Sequence, residues 1–408
     1  MKSSFKGTYA ARLTAFLMCF VLCLSMAACG QKESGPEGDG IRIEGCAIQY
    51  EPEFGGVYIE IGIDDFNKLG FQYGDSVKVV FSNGYTLEDV PYYNGYYVDV
   101  GEALLIAYPG YDYIKAAINY GQDLWEEGNL YAAPDTADSA RGNGLFAQAK
   151  LDGHCTASVY LNEHGKYADI QAARDIHYYD EREKYPSDEV FANFRNAAVG
   201  DLKENILYRA ASPCDNQHNR ASYVDALISK AQVRCILNLS DNDAKIEKYM
   251  AADDFDSPYF LALYESGNVI PLAMNMNFTS DEFTDKLVAG LTAMSEKEGP
   301  YLVHCTEGKD RTGFVCMLIE ALAGASYEEI VDDYMVTYDN YYKISKGSDP
   351  AKYDVILDKN LVAMIRVVVG DDSVDITTAD LSVYARNYLV NAGMTDAQID
   401  KLLACITE

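Results

Sequence analysis

The segment Tyr301-Leu-Val-His-Cys-Thr-Glu-Gly-Lys-Asp-Arg-Thr-Gly313 constrains what this chain can fold into more than any other stretch. Residues 301–304 read as a short buried strand running into a cysteine, and residues 313–323 are so apolar that they read as a buried helix. Between them Cys305 and Arg311 are separated by five residues, which makes a tight loop closing onto a helix N-terminus. Such a loop points several backbone N–H groups inward, and together with the helix dipole they favour a bound oxyanion. The same field lowers the pKa of a thiol at the start of the loop, so Cys305 is expected to react as a thiolate. Arg311 adds a planar fork that grips two oxygens at once and stays charged. A nucleophile facing an anion cradle is therefore expected here.

The pattern of His304, Cys305, Gly308, Arg311 and Thr312 resembles the signature loop of the cysteine-dependent protein tyrosine phosphatase superfamily. The run Gly308-Lys309-Asp310-Arg311 resembles its atypical bacterial branch, whose members often accept phosphoserine, phosphothreonine or phosphoinositides as well. The resemblance implies Cys305 as nucleophile, Arg311 as phosphate clamp and Asp310 as general acid, with Thr306, Glu307, Gly308, Lys309, Thr312 and Gly313 completing the phosphate-binding loop. Two other readings of the loop are a structural cysteine before a core helix and a rhodanese-like sulfur carrier. The first does not explain Arg311, and the Gly-Lys-Asp-Arg-Thr run speaks for phosphate rather than sulfur. The resemblance extends over roughly residues 205–406, including Asn205-Ile-Leu-Tyr-Arg-Ala-Ala-Ser-Pro213, which is similar to the entry segment of that branch. Arg209 and Arg220 in this region, beside Ser212 and His218, are candidates either to touch substrate or to support the residues that do.

The N-terminus carries Lys2, Lys6 and Arg12 ahead of an apolar run ending near Ala28, the layout of a bacterial secretory signal. Ser25-Met-Ala-Ala-Cys29-Gly30 resembles the site cut by the lipoprotein signal peptidase, which implies lipidation of Cys29. An uncleaved anchor and simple secretion are the alternatives, and all three place the protein outside the cytoplasm. Residues 29–40, rich in Gly, Pro, Glu and Ser, read as a flexible tether. Removing residues 1–28, with three basic residues and no acidic one, makes the formal charge of −30 more negative still. So acidic a chain argues against nucleic acid as a partner.

Residues 41–131 read as an all-β, barrel-like domain. Residues 77–81 alternate, Ser82-Asn83-Gly84 is a hairpin turn, residues 85–90 return, and further strands are expected at 96–100, 103–107 and 113–119. Gly74-Asp-Ser-Val-Lys-Val-Val80 and the strands around residues 100–121 resemble the small barrel domain of the enzymes that hydrolyse S-adenosylmethionine with hydroxide. That resemblance brings no active site, and the domain reads as accessory. Its many tyrosines fit ordinary strand packing or an aromatic face for sugar or peptide. Residues 132–187 are expected to be an irregular connection or part of the first domain's packing.

The catalytic domain, residues 188–408, reads as α/β: a parallel or mixed central sheet flanked by helices. Helices are expected at 189–196, 223–231, 283–294, 313–323, 326–338, 360–369, 379–391 and from 395, with strands at 205–212, 233–239, 268–274 and 301–304. Asp281 lies before the 283–294 helix, where many members of the superfamily carry a mobile acid, so it competes with Asp310; Asp241 and Asp243 are further candidates. Asp281 also suits plain first-turn helix chemistry. The remaining cysteines show no metal-type spacing and are expected as mostly reduced, buried thiols. No metal or cofactor is expected. The sequence as a whole implies a phosphomonoester hydrolase working through a phosphocysteine on phosphorylated protein, phosphoinositide or a small phosphomonoester. Inositol polyphosphate hydrolysis, or a catalytically inactive phosphate-binding lipoprotein module, are the alternatives.

Overall fold

The computed structural model describes residues 40–51, 55–99, 101–119, 123–130 and 155–407. The expected signal segment, the lipidation residue Cys29 and the tether up to residue 39 lie outside the described residues. The chain divides into two units, Met1–Gln171 and Ala172–Glu408.

The first unit is built on a closed barrel of β1 (Arg42–Glu51), β2 (Gly56–Gly62), β3 (Ser76–Phe81), β4 (Thr86–Tyr93), β5 (Ala103–Ile106), β6 (Tyr113–Ile118) and β7 (Thr156–Glu163). Around the barrel they run β1-β2-β6-β5-β4-β3-β7, with β7 paired to β1 and closing the ring. Period-two patterning sets the inside: Val77, Val79 and Phe81 of β3 are buried, while Lys78 and Val80 between them are partly exposed. The turn after β3 is as expected, with Gly84 at positive φ and Asn83 Oδ1 accepting from the Tyr85 amide at 3.0 Å.

Two readings need correction. The strand expected at 96–100 is absent from its described residues, because Asn94-Gly95 turns the chain tightly enough for the Tyr97 amide to reach the Gly95 carbonyl at 3.0 Å. The connection expected over 132–187 is not wholly irregular: it contains β7 and the helix Ala168–Arg174. β7 alternates Ala157, Val159 and Leu161 toward the barrel core with polar residues between them, and it pairs with both β1 and β3.

The second unit holds a five-stranded sheet in the order β11-β10-β12-β9-β8. Its strands are β8 (Arg195–Asn196), β9 (Leu207–Ala210), β10 (Cys235–Asn238), β11 (Val269–Pro271) and β12 (Tyr301–His304). The first four neighbours are parallel and β8 is an antiparallel edge. Alternation splits each central strand between two cores. Leu237, Tyr301, Val303 and Leu207 face the helices Asp281–Ser295 and Asp310–Leu322, while Ile236, Leu302 and Tyr208 face Ala221–Lys230 and Pro258–Glu265. The register aligns Asn238, His304 and Ala210, so three strands end level at the mouth of the Cys305 loop. The outer end of parallel strands is where open α/β sheets place their ligands.

Three elements differ locally from expectation. The helix expected over 189–196 stops at Phe191, because Asn193 takes a left-handed conformation (φ 50°) and residues 195–196 then pair with β9. The strand expected over 268–274 is confined to Val269–Pro271, since Pro271 lacks an N–H and Ala273 is left-handed. The helix Asp310–Leu322 begins earlier than its apolar run suggested, at the loop itself.

Candidate active site

Every residue from Thr312 to Leu322 is buried, which holds the loop helix rigidly between the sheet and the C-terminal helices. Its N-terminus therefore faces the end of β12 at a fixed angle, and Cys305 sits between them, 3% exposed. The loop is tied down on three sides. The Ser212 amide donates to the Thr306 carbonyl at 3.1 Å, the Leu239 amide to His304 at 2.9 Å, and the Tyr341 hydroxyl to the Glu307 carbonyl at 2.8 Å.

Gly308 is required by its surroundings. It has φ 69°, and a Cβ there would stand 2.2 Å from the Ala210 carbonyl oxygen. Gly313 is similarly pressed against the Tyr334 ring, 2.6 Å from where its Cβ would be. The Gly308 carbonyl accepts from Asn193 Nδ2 (3.2 Å) and Arg209 Nη2 (3.3 Å), both fully buried. Arg209 is anchored by Asp333 at 2.7 Å, and Asp333 also takes Arg195 at 2.7 Å. Burial alone would raise the Asp333 carboxyl, but the two guanidinium groups drive it far below the usual carboxylate range. Glu320 beside it has the opposite fate: burial and the Asp333 charge raise it well above the usual carboxylate value.

Of the two roles open to Arg209 and Arg220, supporting the site or touching substrate, their contacts fit the first. Arg209 is committed to Asp333 and the loop carbonyl. Arg220, 3% exposed, donates to the Phe191 carbonyl (2.9 Å), the Tyr179 carbonyl (2.9 Å) and Asp180 (3.0 Å), with its guanidinium lying over Tyr178, Phe191 and Tyr341.

Arg311 donates through Nη1 to the Met274 carbonyl at 3.1 Å, while its buried Nε has no hydrogen-bond partner among the described residues. Thr312 Oγ1 is likewise buried and unpartnered. His304 is wholly buried, and burial first of all pushes its imidazole down to about 4, so the ring is neutral and its Nδ1 is 3.1 Å from the Cys305 carbonyl. Lys309 lies 3.0 Å from Glu307, 3.3 Å from the Tyr342 hydroxyl and 3.7 Å from Asp310. Burial works against its charge, yet Asp310, Tyr342 and Glu307 outweigh burial and raise it well above the ordinary lysine value.

Of the four candidate acids, Asp310 alone is on the loop, half open to solvent in the first turn of the helix. Asp281 is exposed in the first turn of Asp281–Ser295 behind the Ser280 cap. Asp241 is buried and accepts from Ser240 Oγ (2.8 Å) and Asn238 Nδ2 (3.2 Å), whereas Asp243 accepts from the Tyr264 hydroxyl at 2.9 Å. The segment before Asp281 does reach the site: Phe278 stacks on Phe314 at 4.4 Å and its carbonyl is held by Tyr388 at 2.9 Å.

Asn193, Arg195, Asp333, Tyr178 and Tyr341 were not singled out from the sequence. The one local signal was Asn193, an asparagine in a stretch otherwise fit for helix; the rest act through partners far away in the chain.

A family model described as "Tyrosine phosphatase family" matches residues 191–408. No curated protein matches the chain. Similar solved structures include the core catalytic domain of the PP-IP phosphatase SIW14 from S. cerevisiae in complex with citrate, at 20% identity over 43% of this chain and 91% of that chain, with a TM-score of 0.24. P. aeruginosa TpbA is 18% identical over 51% of this chain and 92% of that chain, with a TM-score of 0.20.

Proposed function

Because the chain belongs to the tyrosine phosphatase family and is a phosphoester hydrolase, we propose that it removes phosphate from phosphotyrosine in protein, through a covalent phosphocysteine. The observation that carries this reading is the placement of Cys305 and Arg311 on one loop closed by a helix N-terminus, with Asp310 in that helix's first turn.

In the first step the Cys305 sulfur attacks phosphorus in line with the ester bond. Arg311 and the loop amides hold the equatorial oxygens, so the charge of the transition state meets donors already in place. Asp310 gives its proton to the leaving oxygen as the P–O bond breaks. In the second step water attacks the phosphocysteine, Asp310 takes its proton, orthophosphate leaves and the thiolate is restored. Thr312 Oγ1 donates a hydrogen bond to the departing sulfur. Phosphoinositides and small phosphomonoesters are the other substrates that such a loop accepts.

The N-terminal sequence supports an extracytoplasmic lipoprotein anchored through Cys29, with the barrel as an accessory unit. Labelling with palmitate, retained by the wild type and lost in Cys29→Ser, tests the anchor. Catalysis is tested by phosphate release from p-nitrophenyl phosphate by the full chain under reducing conditions. Activity abolished in Cys305→Ser and insensitive to chelator supports the thiol mechanism. A folded wild type silent toward this ester, phosphotyrosine peptide and inositol phosphates would make the chain a phosphate-binding module instead.

A further inference from the structure

Within the loop, Glu307 has no evident place: a carboxylate beside an anion site repels what the site is built to hold. Yet its side chain is firmly placed. Oε1 accepts from the Tyr178 hydroxyl at 3.0 Å and Oε2 lies 3.0 Å from Lys309 Nζ. The Tyr178 hydroxyl is also 3.1 Å from His218 Nε2, and His218 Nδ1 is 3.2 Å from Asp180. The Tyr178 ring is held by Tyr341 at 5.2 Å between centroids and by the Arg220 guanidinium at 4.8 Å. Burial by itself would raise the Glu307 carboxyl, but the Lys309 charge and the Tyr178 hydrogen bond overcome it and keep Glu307 ionised.

The consequence falls on Lys309. Lys309 Nζ donates to the Tyr342 hydroxyl at 3.3 Å and is flanked by the Glu307 and Asp310 carboxylates at 3.0 and 3.7 Å. A phosphate on the substrate other than the one being cleaved would meet an ammonium whose charge Glu307 already offsets at 3.0 Å, and would face the Glu307 carboxylate itself. Among the loop side chains Glu307 cancels Lys309, and with Asp310 protonated as the acid the one uncompensated charge is that of Arg311. The cradle thus attracts a single phosphoryl group through its amides and Arg311, with no surplus positive charge for a second. Tyr178 and Asp180 come from ahead of residue 191, where the family match begins.

We propose that Glu307, positioned by Tyr178 and His218, is a specificity-determining residue that neutralises Lys309 and selects singly phosphorylated substrates over polyphosphorylated ones. This inference rests on the phosphatase reading above. The test measures binding and turnover separately. In a Cys305→Ser background, the affinities for a phosphotyrosine peptide and for myo-inositol hexakisphosphate are compared by calorimetry with and without Glu307→Gln. The expected result is a roughly tenfold gain for the hexakisphosphate relative to the peptide, the scale of removing one like charge at a partly buried site. The gain shrinks at high salt and disappears when Lys309→Met is added, because Glu307 acts through Lys309. Tyr178→Phe shifts the ratio the same way by a smaller factor, and Glu307→Asp, which restores the charge, returns it toward the starting value. An unchanged ratio in both Glu307→Gln and Tyr178→Phe overturns the proposal, as does a gain that survives Lys309→Met. Failure of the phosphatase reading shows separately, as a wild type that hydrolyses neither ligand while still binding them.

Discussion

Adding one methyl group at Gly308 tests whether the loop's position is dictated by its close approach to β9. The Cβ of alanine would lie 2.2 Å from the Ala210 carbonyl oxygen and 2.4 Å from its carbon, both backbone atoms of a strand held by β12 and β8. Restoring ordinary contact needs a shift of about 1 Å, and the loop is the part that can move. The left-handed φ of 69° adds a conformational cost of about 1 kcal/mol, and overpacking adds about 1–3 kcal/mol. A displacement of that size at the reacting centre costs about 10²-fold in rate, equal to about 2.7 kcal/mol of transition-state stabilisation. Gly324→Ala is the control: it too has positive φ, 77°, but its nearest neighbour is Asp201 Oδ2 at 3.9 Å. That variant incurs the conformational cost alone, lowering Tm by about 2–4 °C and leaving kcat/KM for p-nitrophenyl phosphate within about threefold of wild type. Gly308→Ala is expected to lose about 10²-fold in kcat/KM measured on folded protein. If the two variants retain similar kcat/KM, contact with β9 does not set the loop, and the argument fails.

Asp333→Asn leaves Arg195 and Arg209 buried without their counter-charge, so chemical denaturation should show a loss of about 3–5 kcal/mol; a loss below about 1 kcal/mol would mean that water or another group compensates them. His304 titrates from an unfolded value of 6.5 to about 4 in the fold, the direction of a base kept neutral by burial. Its contribution is therefore complete above pH 6.5 and lost as pH falls toward 4, up to roughly 3 kcal/mol. Urea titrations between these pH values should show that slope in wild type and a shallower one in His304→Gln. Asp310→Asn should lower kcat on phenyl phosphate by about 10² or more, while Asp281→Asn leaves it nearly unchanged; the reverse order would transfer the acid's role to Asp281.

The sequence by itself determined the chemistry of the loop and the elements that carry it. A thiol, an arginine and a glycine within one short span need no distant partner to be recognised, and the same holds for local devices such as the capping box of Ser326 and Glu329 or the turn at Asn83-Gly84. The apolar runs around Cys305 announced a strand and a helix because burial on every side leaves its mark on every residue. What only the tertiary structure decided are the partnerships between residues far apart in the chain. Arg209 is a candidate contact by sequence until Asp333 and the Gly308 carbonyl claim it, and which strands flank β7 is decided only by its pairing with β1 and β3. Tyr178 becomes part of the loop's electrostatics only because the fold sets its hydroxyl against Glu307. The physical reason is that residue type dictates which interactions a side chain can make, whereas burial and the partner that satisfies it depend on which distant segments the packed sheet and helices bring together.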